Sequence, residues 1–474
     1  MASVRYAWLV LAACGTTNAT TPSSVFTTAP ALDAIAAVGP DVKLVWRNPG
    51  LYPIGQPIAV ADVAVGIVSD HRELFAVGLD PARGTKLWQH QLTPSAVRPS
   101  EPVDLTKIGS DRIAYLRPTR DADSLVPYAQ LVIADARTGR DLATSPETLF
   151  TTQPFRCHGG DSACVITEEW GRTARAAARL DGATGAWIVE PAVLPVRTRA
   201  MSDDGLVDLG NRPDETYARL VDGKLRWRLQ AATAFPGPFS SDWGWTWHHD
   251  ADAHVYVGSL YGEPETRNDR YVYDLAATAT AGIAEATGEV LWRDRGSHLI
   301  HLDADDTVPL RYRARGEQSF RDRIATFRGL DVVLERFDPV SGQTIWRLEL
   351  GDAPAIANGS ARPAIAGPSH VMVATTAGPI VLDYVAGTTT PAPADRAFWC
   401  VARARYELLP EPWTPSRSWQ GYKRPGGQLA FPCDTQGAPV STLPDAAATL
   451  ATGARIGPFA VIATHDAFYG FAAR

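Results

Sequence analysis

Apolar residues along this chain come in short runs separated by clusters of Gly, Asp, Pro and Thr. Examples are VAVGIVSD with LFAVGLD at 63–80, YAQLVIAD at 128–135 and VVLERFD at 332–338. Runs of this length, rich in Val and Ile and bounded by turn residues, predict strands. Each is followed by a version of one phrase: LDPARGTKLW (Gly84, Trp88), ADARTGRDLA (Gly139), LDGATGAWIV (Gly185), LVDGKLRW (Gly223, Trp227), AEATGEVLW (Gly288, Trp292) and FDPVSGQTIW (Gly342, Trp346). In this phrase Asp accepts hydrogen bonds from the turn, Pro presets its φ, and Gly takes the left-handed conformation that closes a hairpin. A further strand begins after the glycine, and period-2 alternation puts Lys86 with Trp88, and Thr344 with Trp346, on one face.

The glycines recur at intervals of 55, 46, 38, 65 and 54 residues with no helical pattern between them. Such periods predict a β-propeller of four-stranded antiparallel blades. VKLVWRNPG at 42–50 has a strand and Trp46 without a preceding turn, while FAVIATHDAFYGFAA at 459–473 has strands without a following Trp strand. The two ends therefore complete one blade, a closure that removes an exposed edge. Six glycine-marked blades, a divergent one from about Ala361 to Trp399 and the closing blade make eight; the count is seven if 400–450 is only an insertion.

The phrase resembles the Ala/Asp–Gly–Trp repeat of the quinoprotein-like (PQQ-like) β-propellers over 41–474. The match is specific at Gly84/Trp88, Gly288/Trp292 and Gly342/Trp346. It departs where Ala143 and Val189 stand at the Trp position and where Arg219 and Ala284 replace the first Asp. The resemblance implies that each outer-strand Trp lies between adjacent blades. It also raises a quinone-dependent oxidoreductase, whose relatives have an adjacent Cys–Cys pair and a calcium site with a catalytic Asp. This chain has no Cys–Cys and no assignable ligand set, so no cofactor and no catalytic residue is expected.

The N-terminus adds a localisation. Arg5, the apolar run Tyr6–Val10 and then Leu11-Ala12-Ala13-Cys14 resemble a bacterial lipoprotein signal peptide spanning 1–13, with Cys14 as the lipidated residue. Residues 14–40 are rich in Thr, Ser and Pro, the composition of a flexible tether. The expected place is the extracytoplasmic face of the cell membrane. The net charge of −7 carries no basic run, which argues against nucleic acid as a partner.

Four further cysteines suit an oxidising compartment. A Gly-Gly-Asp turn inside CHGGDSAC favours Cys157 with Cys164, leaving Cys400 with Cys433; zinc is disfavoured because neither CxxC spacing nor nearby paired His occurs.

Two stretches invite a site. SDWGWTWHHDADAH at 241–254 offers Trp243, Trp245 and Trp247, then His248, His249, Asp250, Asp252 and His254, read as a blade strand with a polar turn ahead of a metal site. HLIHLDADD at 298–306 lacks the Gly and distal Glu of a calcium loop. No metal is expected. The long interval between Gly223 and Gly288, and YELLPEPWTPSRSWQGYKRPGG at 406–427, predict elaborated loops. Loops of this kind are where binding resides, which makes Trp413, Trp419, Tyr422, Trp243 and Trp245 the candidate partner-binding residues. The expected protein is a monomeric, non-catalytic, lipid-anchored propeller that holds envelope proteins, similar in architecture to the BamB-type scaffolds of outer-membrane protein assembly. A quinone-dependent oxidoreductase and a propeller binding envelope glycans or small ligands are the alternatives.

Overall fold

The computed structural model describes residues 42–473 except 72, 94–102, 120–127, 158–159, 169–173, 196–197, 202–204, 211–215, 222–223, 240–245, 269, 303–306, 322–323, 358–362 and 407–423. The signal peptide and tether expected over 1–40 lie outside the described residues, as does Gly223.

The strands form eight antiparallel sheets, each a blade. From inside outward, blade one is Ile58–Val60, Val63–Ser69, Leu74–Leu79 and Lys86–Leu92, and blade two runs from Thr106–Ile108 to Asp141–Thr144. Blade three ends on Trp187–Pro195, blade four on Lys224–Gln230, blade five on Val290–Arg295 and blade six on Thr344–Gly351. Blade seven runs from Ala364–Gly367 to Thr388–Pro391. Blade eight joins Ala454–Ile456, Phe459–Ala463 and Phe468–Ala473 to the N-terminal strand Val42–Asn48, with Val42 opposite Ala473 and Asn48 opposite Phe468. The expected closure is thus present, and the blade count is eight.

Burial follows the order of strands. Second and third strands are buried on both faces, as in Val63–Ser69 and Ala129–Asp135, while the outer strand Lys224–Gln230 alternates exposed residues with half-buried ones and the buried Leu229. The core lies between facing blades: Val63, Val65, Leu74, Ala76 and Trp88 meet Ile113, Tyr115, Val132 and Ala134 across the first seam.

Blade seven spans Ala364–Pro391, and Trp399 does not belong to it. Its turn, LDYVAG with Gly387 at φ 72°, is a copy of the repeat in which Pro391 stands at the position of the clamp tryptophan. Trp399 instead lies on a hairpin, Phe398–Tyr406 with Arg424–Cys433, that adds to the axial edge of blade seven through Ile365 opposite Trp399.

Candidate functional site

The repeat builds the seams. Asp80 accepts from the amides of Ala82 and Arg83, and Gly84 N–H donates to the Asp80 carbonyl at 2.8 Å with Gly84 at φ 69°. Asp338 repeats this, and the amide and hydroxyl of Ser341 hold its carboxyl below the usual range. Each indole then reaches the next blade's turn. Trp46 donates to the carbonyl of Pro81, Trp88 to Ala136, Trp227 to Glu285 and Trp292 to Pro339, all at 2.8 Å, and Trp346 to Val385 at 3.0 Å. The rings lie on Gly84, Gly139, Gly288, Gly342 and Gly387, where a Cβ would collide with them. Where Ala143 replaces Trp, the next turn glycine, Gly185, has nothing within 4 Å of a Cβ position. Gly84, Trp88, Gly288, Trp292, Gly342 and Trp346 thus meet one another across the blade seams.

The two copies lacking the first Asp meet each other. Arg219 of blade four pairs with the carboxylate of Glu285, which follows Ala284 in the turn of blade five, and donates to the Glu285 carbonyl at 3.0 Å. His254 Nδ1 lies 2.8 Å and His249 Nε2 3.6 Å from the same carboxylate. Burial alone would raise the Glu285 pKa, but the His254 hydrogen bond and the charges of Arg219 and His249 bring it below the ordinary value. His249 and His254 thus serve an interblade clamp, and among the described residues no group of three or more His, Cys, Asp or Glu could hold a metal ion. Sequence reasoning missed this clamp; its signal was that Arg219 and Glu285 both depart from the repeat.

Alternation of strand direction puts the turns between first and second, and between third and fourth, strands on one face. That arrangement is visible where Ala61, Asp80, Arg137 and Gly457 line a single shallow depression with the Arg137–Asp62 ion pair at its edge. The insertions leave the opposite face. Between the second and third strands of blade five, the hairpin Glu265–Arg267 with Arg270–Asp274 adds to the elongated Leu310–Arg321 and Ile324–Phe337 pair of blade six, with Val272 opposite Ser319. Its base is a buried aromatic cluster. Tyr261 and Tyr312 share a hydroxyl hydrogen bond, Tyr312 donates to Ala357, His298 stacks on Tyr261 at 4.2 Å, and burial pushes the Tyr261 phenol up to about 12.

The hairpin Phe398–Tyr406 with Arg424–Cys433 leaves the same face. Trp399 and Ala430 are buried against Tyr469 and Phe471 of blade eight, Ala404 and Leu429 join the core of blades one and eight, and Gly427 touches Gly55. The hairpin thus lies over the axial edges of three successive blades. Its base is held by the Cys400–Cys433 disulfide, and Cys157–Cys164 closes the inner edge of blade three, the two pairings expected.

Trp413, Trp419 and Tyr422 lie outside the described residues, between Tyr406 and Arg424; Trp243 and Trp245 do too, just before the strand Thr246–Asp250. The described chain enters and leaves both segments on the insertion-bearing face.

No protein-family model matches the chain, and no curated protein does. Among solved structures, BamB from Moraxella catarrhalis is 12% identical, with 91% of this chain and 100% of that one covered and a TM-score of 0.36. A europium-containing methanol dehydrogenase is 10% identical over 77% of this chain and 85% of that one, with a TM-score of 0.33. The β-propeller domain of a protease from Pyrococcus furiosus is 11% identical over 72% and 95%, with a TM-score of 0.37. The fold rests on the sheets themselves and is the one the repeat implied: eight four-stranded blades, locked at five seams by an outer-strand tryptophan on the next blade's turn.

Proposed function

We propose that the protein is a non-catalytic propeller scaffold of the bacterial cell envelope, held to the membrane by lipid on Cys14 and capturing protein partners on its insertion-bearing face. The observation that carries this reading is the asymmetry of the two faces. One carries short turns, apart from 301–309 in blade six, while the other holds the two-hairpin platform of blades five and six, the disulfide-stapled axial hairpin and the flanks of both aromatic loop segments. Loops on a rigid scaffold are the usual seat of recognition. BamB, the first of the solved structures named above, is a precedent for the fold without fixing the partner.

The quinone reading finds little support in these residues. The disulfides join cysteines 7 and 33 positions apart rather than adjacent ones, and the axial edge of blade seven is occupied by a hairpin. Affinity capture of the lipidated protein from its native envelope, beside a Trp413→Ala/Trp419→Ala variant, tests the scaffold reading. The double variant is expected to lose its co-purifying proteins with an unchanged melting temperature; equal recovery by both, or saturable quinone binding by the parent with substrate oxidation, would reject it.

A further inference from the structure

Every clamp tryptophan is preceded by a bulge. In blade one Gly78 pairs with Trp88 and Leu79 with Lys86, so Leu87 has no partner in the ladder. Leu291, between Val290 and Trp292, is left out in the same way, as are Ile345 in blade six and Val45 in blade eight. Leu142 precedes Ala143 with the same shift in blade two, and Arg226 precedes Trp227 in blade four. A bulge re-aims side chains. Here it turns the indole into the seam and the preceding residue outward.

What it turns outward is aliphatic in five of these six blades. Val45, Leu87, Leu291 and Ile345 are 38%, 48%, 41% and 58% exposed. In blades one, five and six, and in blade two where Leu142 is half-buried, the bulge residue stands three positions beyond the turn glycine, so these side chains share one level around the rim. Val340 and Val385, in the turns under Trp292 and Trp346, and Val189 of blade three are exposed at that end too. Of the nine large hydrophobic residues exposed among the described residues, only Tyr52 and Tyr271 lie toward the insertion-bearing face. Single exposed aliphatics need no explanation, but a ring of them at one height does.

The residue after the tryptophan is Arg in four blades: Arg47, Arg228, Arg293 and Arg347. By strand geometry it faces the same side as the bulge residue, about 6–7 Å farther from the turn face. Of these, Arg47 pairs with Asp466, Arg347 pairs with Glu349 and Glu335, and Arg293 donates to the Thr233 carbonyl, so it is the aliphatic tips that mark the rim as a surface suited to acyl chains. Val42, the first described residue, begins the outer strand of blade eight at the turn face, where Ala473 N–H donates to Pro458 at 3.1 Å.

We infer that the turn-face rim is a membrane-docking surface whose aliphatic ring meets phospholipid acyl chains, so that the propeller sits on the bilayer with its insertion-bearing face outward. A bilayer is chosen over a protein partner because the ring is spread around the circumference at one level, where a flat, deformable surface can meet all of it. This inference rests on the anchored reading above, and its test is separate from the lipidation itself.

The full chain carrying Cys14→Ser would be mixed with vesicles of phosphatidylethanolamine and phosphatidylglycerol at 3:1, and with vesicles of phosphatidylcholine alone, and the bound fraction measured by flotation. Leu87→Ser/Leu291→Ser/Ile345→Ser in the same chain is expected to weaken binding to the anionic vesicles by about tenfold. Tyr52→Ser/Tyr271→Ser, equally exposed on the other face, should leave it unchanged. Vesicles should also slow amide exchange at 86–91, 290–295 and 344–349 in the parent. The inference is overturned if the Cys14→Ser chain ignores both kinds of vesicle, if the tyrosine pair carries the binding, or if the rim substitutions cost a protein partner and no vesicle binding. Fatty-acid labelling of Cys14 reports on the anchor independently: labelled wild type with an inert rim defeats only this inference, and an unlabelled wild type with an active rim defeats only the anchor.

Discussion

Ile133 stands directly across the ladder from Ala143 in blade two, at the position where Gly78 faces Trp88 in blade one and Gly282 faces Trp292 in blade five. The indole lies across its glycine partner so closely that a Cβ there would strike the ring. An isoleucine in that place occupies the indole's volume. The loss of Trp at 143 is therefore a paired exchange of volumes within one rung.

Ala143→Trp alone should destabilise by about 1–3 kcal/mol through overpacking, because Ala143 is buried opposite the fully buried Ile133. Combined with Ile133→Gly, the same indole gains a floor and a free turn glycine at Gly185, and part of that loss should return. Denaturant melts of the four proteins in a double-mutant cycle check this; a coupling energy within error of zero contradicts the volume exchange.

Gly342 and Gly185 have the same backbone, φ 70° and 71°, and different surroundings. Alanine at Gly185 meets only the left-handed penalty of about 1–2 kcal/mol. Alanine at Gly342 also places a Cβ 2.6 Å from the Trp292 ring, so the indole must shift. Gly342→Ala should therefore melt below Gly185→Ala, with an excess cost of about 1–3 kcal/mol; equal melting would mean that the seam does not need its glycine.

Glu285→Gln should cost about 3–5 kcal/mol at pH 7, because it leaves the buried Arg219 guanidinium without its counter-charge. The wild-type carboxyl has a depressed pKa in the folded protein, so its stabilising contribution is complete above the unfolded value of about 4.3 and is lost as the pH falls through the folded value. The gap between wild type and Glu285→Gln should accordingly close on acidification below about pH 4.5. Chemical denaturation across pH 3 to 7 reads it out, and a gap that widens in acid would rule out a depressed carboxyl.

How much of this was legible follows the local chemistry. Turn, glycine and tryptophan lie within ten residues of one another, so LDPARGTKLW and FDPVSGQTIW announce their hairpins, and the closure was legible because Trp46 has a strand without a turn. Both disulfides fell where short-range turn chemistry and an even count put them. The copy ending at Gly387 was hidden because Pro391 stands where its clamp tryptophan would be, and Trp399 drew the seventh blade too far because a tryptophan in a strand looks like a clamp wherever it occurs. Arg219 with Glu285 is a contact between residues 66 positions apart, and nothing in either segment announces the other. The faces were not legible at all: which turns share a side emerges only once strand order is known.

Removing the staple of the axial hairpin separates the propeller from its insertion. Cys400→Ser/Cys433→Ser opens a loop of 33 residues, and chain entropy puts the loss at no more than about 4 kcal/mol. Because its backbone joins blade seven at one described rung, Ile365 with Trp399, while Phe398 and Phe431 only pack on the blade through side chains, the unstapled hairpin should exchange its amides faster than Val371–Val373 in the blade proper. Uniform exchange across both would show that the hairpin belongs to the cooperative unit of the blades.

The division of labour between the faces is tested most directly by photo-crosslinking in the native envelope, with a benzophenone side chain placed at Tyr52 or Tyr271 on the insertion-bearing face and at Leu87 or Ile345 on the turn-face rim. All four positions are exposed, so each reports on its surroundings without breaking a seam. Protein adducts should form from Tyr52 or Tyr271, and Leu87 and Ile345 should yield lipid adducts without protein. Protein adducts from the rim together with none from the insertion-bearing face would contradict the account.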